Sequence, residues 1–178
     1  MKEKKLAIAV QAGLVGVLTG AIISMASSWV LAQTVGDVAE MERLQSRAEE
    51  AIANGDAESA SMNIGKAALM ASQLAKREGE SAKAHLYLGA EALFRAQEHA
   101  YRALALYQRA GGTPPASSGV CTSLRLAGQT VRQASERLAP AVSASPEPQG
   151  SQQAGRLQAG AAEWIRTIDA MRSDFQCE

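Results

Sequence analysis

The sequence predicts an all-α chain, with one N-terminal transmembrane helix followed by an antiparallel bundle or hairpin array of about five amphipathic helices. Three observations carry this. Leu6 to Ala32 runs for twenty-seven residues without a charge. Thirty-six alanines, 4% aromatic residues and almost no β-branched runs favour helix over sheet. From Gln33 onward, apolar residues recur at alternating spacings of three and four, the period of a one-faced helix.

This divides the chain into a cytoplasmic tail (1–5), a transmembrane helix (6–32) and an extracytoplasmic, periplasmic helical domain (33–178). At ~1.5 Å per residue the apolar run could span ~40 Å, against a hydrocarbon core of ~30 Å. A signal-peptide apolar region is only about 7–15 residues, so length favours an anchor. The alternative is a signal cleaved after Ala32, because Val30-Leu31-Ala32 is an acceptable cleavage site. Lys2, Lys4 and Lys5 precede the run, while Asp37, Glu40 and Glu42 follow it. The positive-inside rule then places the N-terminus in the cytoplasm of a bacterial inner membrane and the domain in the periplasm. Trp29 suits the outer headgroup layer. Ala12, Gly16, Gly20 and Ser24 recur every fourth residue, a stripe that lets another helix backbone approach closely, and Gln11 beside it could hydrogen-bond across helices.

The first domain helix is expected from about Val35 to Asn54, with Val38, Met41, Leu44, Ala48 and Ile52 on one face. Asn54-Gly55-Asp56 is a stop and restart: Gly55 suits a left-handed position after the helix, and Asp56 can cap the next. The second helix, about Ala57 to Arg77, turns Ala60, Ile64, Ala67, Ala71 and Leu74 inward. The third, about Ser81 to Ala110, carries Leu86, Ala90, Leu93, Gln97, Ala100, Leu104 and Tyr107, with Glu91–Arg95 and Glu98–Arg102 as i,i+4 pairs. Gly111-Gly112-Thr113-Pro114-Pro115 ends it. The fourth, about Gly119 to Leu138, has the stripe Val120, Leu124, Ala127, Val131, Ala134 and Leu138. A loop from Pro140 to Gly150 leads to the last helix, about Gln152 to Phe175, with Leu157, Ala161, Trp164, Ile168, Met171 and Phe175 on one side. So few large apolar residues imply a thin core packed around alanine.

The segment from Ala51 to Gly112 resembles a tetratricopeptide hairpin in its Asn54-Gly55-Asp56 turn and its ending ALALYQRAGGTPP. No 34-residue period accompanies it when Ala96, Ala100 and Ala103 are set against the family's small positions. The resemblance implies protein–protein interaction, not catalysis.

Cys121 opens the fourth helix and Cys177 closes the fifth, ends that meet in an antiparallel hairpin, so an extracytoplasmic disulfide is expected. By the chain-entropy model it contributes about 4 kcal/mol. His85 and His99 lie fourteen residues apart on one helix, ~21 Å, too far to share a metal. No zinc-protease, haem-attachment, phosphate-loop or nucleophile-elbow pattern occurs. Glu49, Glu50, Glu78 and Glu80 read as ordinary solvated charges. No catalytic residue, cofactor or metal is therefore expected.

Net charge is zero; the first five residues carry +2, leaving −2 for the outer part, too mild to point to nucleic acid. The expected function is a non-catalytic accessory subunit. Its partners would be the bilayer and the integral membrane subunits of a larger complex, for example respiratory, photosynthetic or secretory. The alternatives are a membrane-tethered ligand-binding or sensing bundle and a tetratricopeptide-like assembly factor. A binding bundle needs a pocket with convergent polar groups. Gln97, polar on an apolar stripe, is the one candidate for it, and a small-molecule ligand is not expected.

Overall fold

The computed structural model describes residues 36–112, 119–144 and 148–177, all of them in helices or short connections. The expected anchor lies outside these residues, and with it Gln11, Ala12, Gly16, Gly20, Ser24 and Trp29. Among the described residues no helix is long and apolar enough to cross a membrane.

Helix α1 occupies residues 36–53. It closes with paired bonds, Asp56 N–H to Ala51 O (2.9 Å) and Gly55 N–H to Ile52 O (3.0 Å), which satisfy the last carbonyls. This motif needs a left-handed residue, and Gly55 supplies it at φ 79°. Asp56 then caps α2 (Ala57–Glu78), its Oδ1 accepting from the Ser59 N–H at 2.9 Å. Ser81 caps α3 (Ala82–Arg109) in the same way, accepting from the Ala84 N–H at 3.1 Å.

Two boundaries differ from expectation. Helix α4 (Val120–Ala144) continues six residues past Leu138, with Pro140 inside it. The proline removes the N–H that would bond the Glu136 carbonyl. Both residues lie on the exposed side, where water replaces that bond. On the inner side Ala141 packs with Leu86, Leu138 and Ala154, which makes continuation worthwhile. Helix α5 (Pro148–Asp174) starts four residues before the expected Gln152. A proline at the first helical position is tolerated because its N–H would have no partner there.

The helices run antiparallel in sequence order. Arg109 near the end of α3 bonds Glu58 at the start of α2 (2.9 Å), and Ser61 donates to the Glu98 carbonyl (3.2 Å). A Cβ on Gly89, early in α3, would overlap Leu138, late in α4. Helix α3 is the hub: it packs on α2, α4 and α5, and shares a core with α1. One cluster joins Met41, Leu44 and Ala48 of α1 to Ile64, Ala68 and Leu74 of α2 and Phe94 of α3. A second joins Leu93, Ala96 and Ala100 of α3 to Val131 and Ala134 of α4 and Ile168 of α5. The expected stripes of α2 and α4 are buried throughout. Helix α3 departs from its single expected stripe. Ala92, Phe94, Ala96, Tyr101 and Ala103 are buried too, because a central helix is covered on more than one side.

Alanine lets these helices approach closely. Gly65 of α2 sits under the Glu98 carboxylate, where an added Cβ would lie 3.1 Å from Cδ. Glu98 accepts from Arg95 (2.7 Å) and Arg102 (3.0 Å). The second pair is as expected. Arg95 turns to Glu98 rather than Glu91, which instead lies 3.8 Å from Arg137 of α4.

Candidate functional site: the α1–α3–α5 cleft

Gln97 is the anomaly from which the site is built. It sits on the inner stripe of α3 and is only 9% exposed. Its Oε1 is buried and accepts no hydrogen bond from any described residue. Leaving such an acceptor unpaired costs about 1–3 kcal/mol, so its surroundings bear on function.

Gln97 lines a cleft of about 240 Å³, partly open to solvent, with Tyr101 one turn further along α3. Helix α1 supplies Gln45 and Glu49, and α5 supplies Glu163, Trp164 and Thr167. The rings of Tyr101 and Trp164 meet edge to face, centroids 5.4 Å apart, which fixes both walls. Burial, with the Glu49 charge adding, pushes the Tyr101 phenol up to about 12, so it stays neutral at physiological pH. Glu49 accepts from Gln45 Nε2 at 2.9 Å and so is held at the rim. Thr167 donates to the Glu163 backbone carbonyl at 3.1 Å, and the Glu163 side chain is exposed. Neither carboxylate is ion-paired among the described residues. The cleft thus combines a buried acceptor, two aromatic rings and two rim carboxylates, with no lysine or arginine in its wall.

A second groove, about 330 Å³, lies on the α2–α3 surface between Glu58, Met62, Arg102, Leu106 and Arg109. Its charges are already matched: Glu58 pairs with Arg109, and Arg102 with Glu98. It offers apolar surface, with Met62 57% and Leu69 53% exposed on the same outer face of α2, but no unmet polar group.

The other expected site residues fall as follows. Cys121 and Cys177 lie at disulfide distance, Cα atoms 5.2 Å apart, inside the range such a bond requires. The chain reaches Cys177 through paired bonds at the end of α5, Gln176 N–H to Ser173 O and Cys177 N–H to Arg172 O, with Gln176 left-handed at φ 54°. Tyr107 and Phe175 stack beside it at 4.0 Å. His85 and His99 both lie on α3; burial lowers the affinity of half-buried His99 for a proton, opposed by Glu98 and aided by Arg102 and Arg95. Among the described residues no group of three or more His, Cys, Asp or Glu could hold a metal ion.

Sequence reasoning named Gln97 but not its companions. Glu49 read as a solvated charge, Trp164 as part of the inner stripe of the last helix, and Tyr101 was not singled out. Only their convergence from three helices makes a site, and a single strand of text carries no signal for it. No family model, curated protein or solved structure matches the chain.

Proposed function

We propose that the chain is a non-catalytic, single-pass membrane-anchored accessory subunit of a larger membrane protein complex. In this reading the N-terminus is cytoplasmic, Leu6–Ala32 crosses the membrane and the helical bundle is periplasmic. The anchor packs through Ala12, Gly16, Gly20 and Ser24, and the bundle docks on a partner through the α1–α3–α5 cleft. The observation that carries the reading is the buried, unpaired Gln97 acceptor in a preformed recess. A bundle selected only to fold would replace that amide with an apolar side chain. One selected to bind can carry a polar amide in the wall of the recess where a partner seats. The closely packed alanine core suits a rigid spacer that presents this recess at a fixed place.

A second reading, a membrane-tethered ligand-binding or sensing bundle, is favoured by the same cleft if its occupant is a free molecule. The volume ranks it second: about 240 Å³ lies below the ~300–1,000 Å³ of drug-sized ligand sites.

Mild-detergent purification of the full-length chain from its native membrane tests the proposal. A stoichiometric membrane protein partner should co-migrate. Gly16→Ile with Gly20→Ile should release it while insertion persists, because branched side chains hold the helix backbones apart. Leu14→Ile with Leu18→Ile should keep it. A mature N-terminus at Gln33, or equal co-purification of both pairs, would refute the anchor's part in the proposal.

A further inference from the structure

Helix α1 fills one side of the α2–α3 pair, packing Met41, Leu44 and Ala48 on Ile64, Ala68 and Phe94. Met62 precedes buried Ile64 by two residues, about 200° around α2, and so lies on the opposite side. There the same two helices form the open groove of about 330 Å³, lined by small Ser61 and Ala105 and by apolar Met62 and Leu106. Its polar groups are matched, so what it offers is apolar surface and charge.

Three features bear on what fits it. Met62 and Leu69, each more than half exposed, are seven residues apart. That is two turns, about 10.5 Å, so they form one ridge. Arg95, Arg102 and Arg109 repeat at the same interval along α3, with Arg102 and Arg109 in the groove wall. Exposed Lys66 lies between Met62 and Leu69 on α2. These four cations meet two carboxylates: Glu58 pairs with Arg109, and Glu98, 13% exposed, is shared by Arg95 and Arg102. The stripe is thus left with a positive surplus, on a domain whose net charge is negative. The ion pairs hold the guanidinium groups in place and occupy only part of each donor fork.

We propose that the outer α2–α3 groove docks one amphipathic helix of a partner protein, its apolar residues at heptad spacing and its flanking residues acidic. An apolar ridge flanked by cations matches a helix with apolar a and d positions and glutamate at e and g. Small Ser61 and Ala105 let a helix approach closely, as α1 does on the other side of the pair. A flat anionic surface would meet the charges but not enter the groove. A second copy fits poorly. Among the described residues its exposed large apolar side chains are Met62, Leu69 and Val142. Setting α2 on α2 so that Met62 meets Leu69 brings Lys66 toward Lys66. The groove is separate from the α1–α3–α5 cleft, so the subunit reading and this proposal can fail independently.

The test uses the full chain in phosphatidylcholine nanodiscs, isotope-labelled in its methionine methyl groups. The probe is a capped three-heptad peptide with leucine at a and d, glutamate at e and g, and alanine or glutamine elsewhere. One control peptide carries lysine at e and g, and another carries serine at a and d. The probe should move the Met62 methyl signal saturably and leave that of Met171 on α5 in place. By fluorescence anisotropy both controls should bind about tenfold more weakly or not at all. Added salt should weaken the probe. Met62→Ser with Leu69→Ser should cost about tenfold or more in probe affinity. Both side chains are exposed, so an unchanged thermal midpoint verifies the fold. Arg102→Gln with Arg109→Gln should weaken the probe several-fold and flatten its salt dependence. A Met62 signal unmoved by the probe, equal binding of either control peptide, or wild-type affinity in either double variant would each overturn the proposal. Phosphatidylglycerol vesicles that move Met62 where the probe does not would assign the face to lipid instead. Self-association of the chain that Met62→Ser with Leu69→Ser abolishes would assign it to a second copy; either result overturns the proposal.

Discussion

The bundle has two regions of opposite character along α3. Toward the C-terminal end of α3, the start of α4 and the end of α5 close over it. Ala103, Val120, Leu124 and Cys177 form a sealed cluster under the stacked Tyr107 and Phe175, and the two cysteines lie at disulfide distance. About a turn and a half earlier on α3, at Gln97 and Tyr101, the walls of α1 and α5 leave a recess with an unmet acceptor. The same helix thus serves as floor to a region with no buried unpaired side-chain atom among the described residues and to one where such an acceptor is left wanting. The contrast separates what the fold needs from what it holds in reserve. Mutations at the sealed end should cost stability, and mutations in the cleft should cost binding while leaving or improving stability.

The largest effect is expected at the seal. Cys177→Ser should destabilise the bundle by up to about 4 kcal/mol, read as a fall in the variant's thermal midpoint below that of the wild type under non-reducing conditions. Peptide mapping without reductant should join the Cys121 and Cys177 peptides; full alkylation of both thiols in protein from its native compartment would show the bond is not made. Next comes Gly89→Ala. The new methyl meets Leu138, which is fully buried and cannot yield, so a loss of about 1–3 kcal/mol is expected by denaturant melt. Gln97→Met should move the other way, raising stability by about 1 kcal/mol because it removes an unsatisfied buried acceptor. A marked loss there would mean that the amide is matched within the fold, and the distinction between the two regions would collapse.

A smaller effect is expected from His99. Its folded proton affinity lies below the ordinary value of 6.5, chiefly through burial. The unfolded chain then binds more protons just below that value, so stability is present above pH 6.5 and is lost as pH falls through the folded pKa. His99→Gln should flatten this acid slope in melts taken between pH 7 and 5. An unchanged slope would assign it to carboxylates instead.

The fold was largely readable from sequence because its signals are local. Gly55, Asp56 and Ser81 punctuate the chain by their own chemistry. The α4 stripe from Val120 to Leu138 is buried at every expected position, since spacing alone decides which side of a helix faces in. Where a long-range contact outweighed a local rule, reading failed. Pro140 reads as a stop, yet packing of Ala141 on Leu86 and Ala154 carries α4 past it. The second buried face of α3 depends on having neighbours on both sides, and no residue of α3 announces that. The cleft is the extreme case. Gln97 is conspicuous in the sequence as a polar residue on an apolar stripe, but Glu49 and Glu163 lie 114 residues apart and become partners only in the folded chain.

Docking through the cleft is tested most directly by quantitative co-purification of full-length wild type and Gln97→Met from the native membrane, normalised to equal amounts of folded chain. If the cleft docks a partner, Gln97→Met should be at least as stable as wild type and yet recover far less of that partner. Recovery at wild-type stoichiometry would contradict it, and would leave Gln97 as a buried amide with no role in assembly.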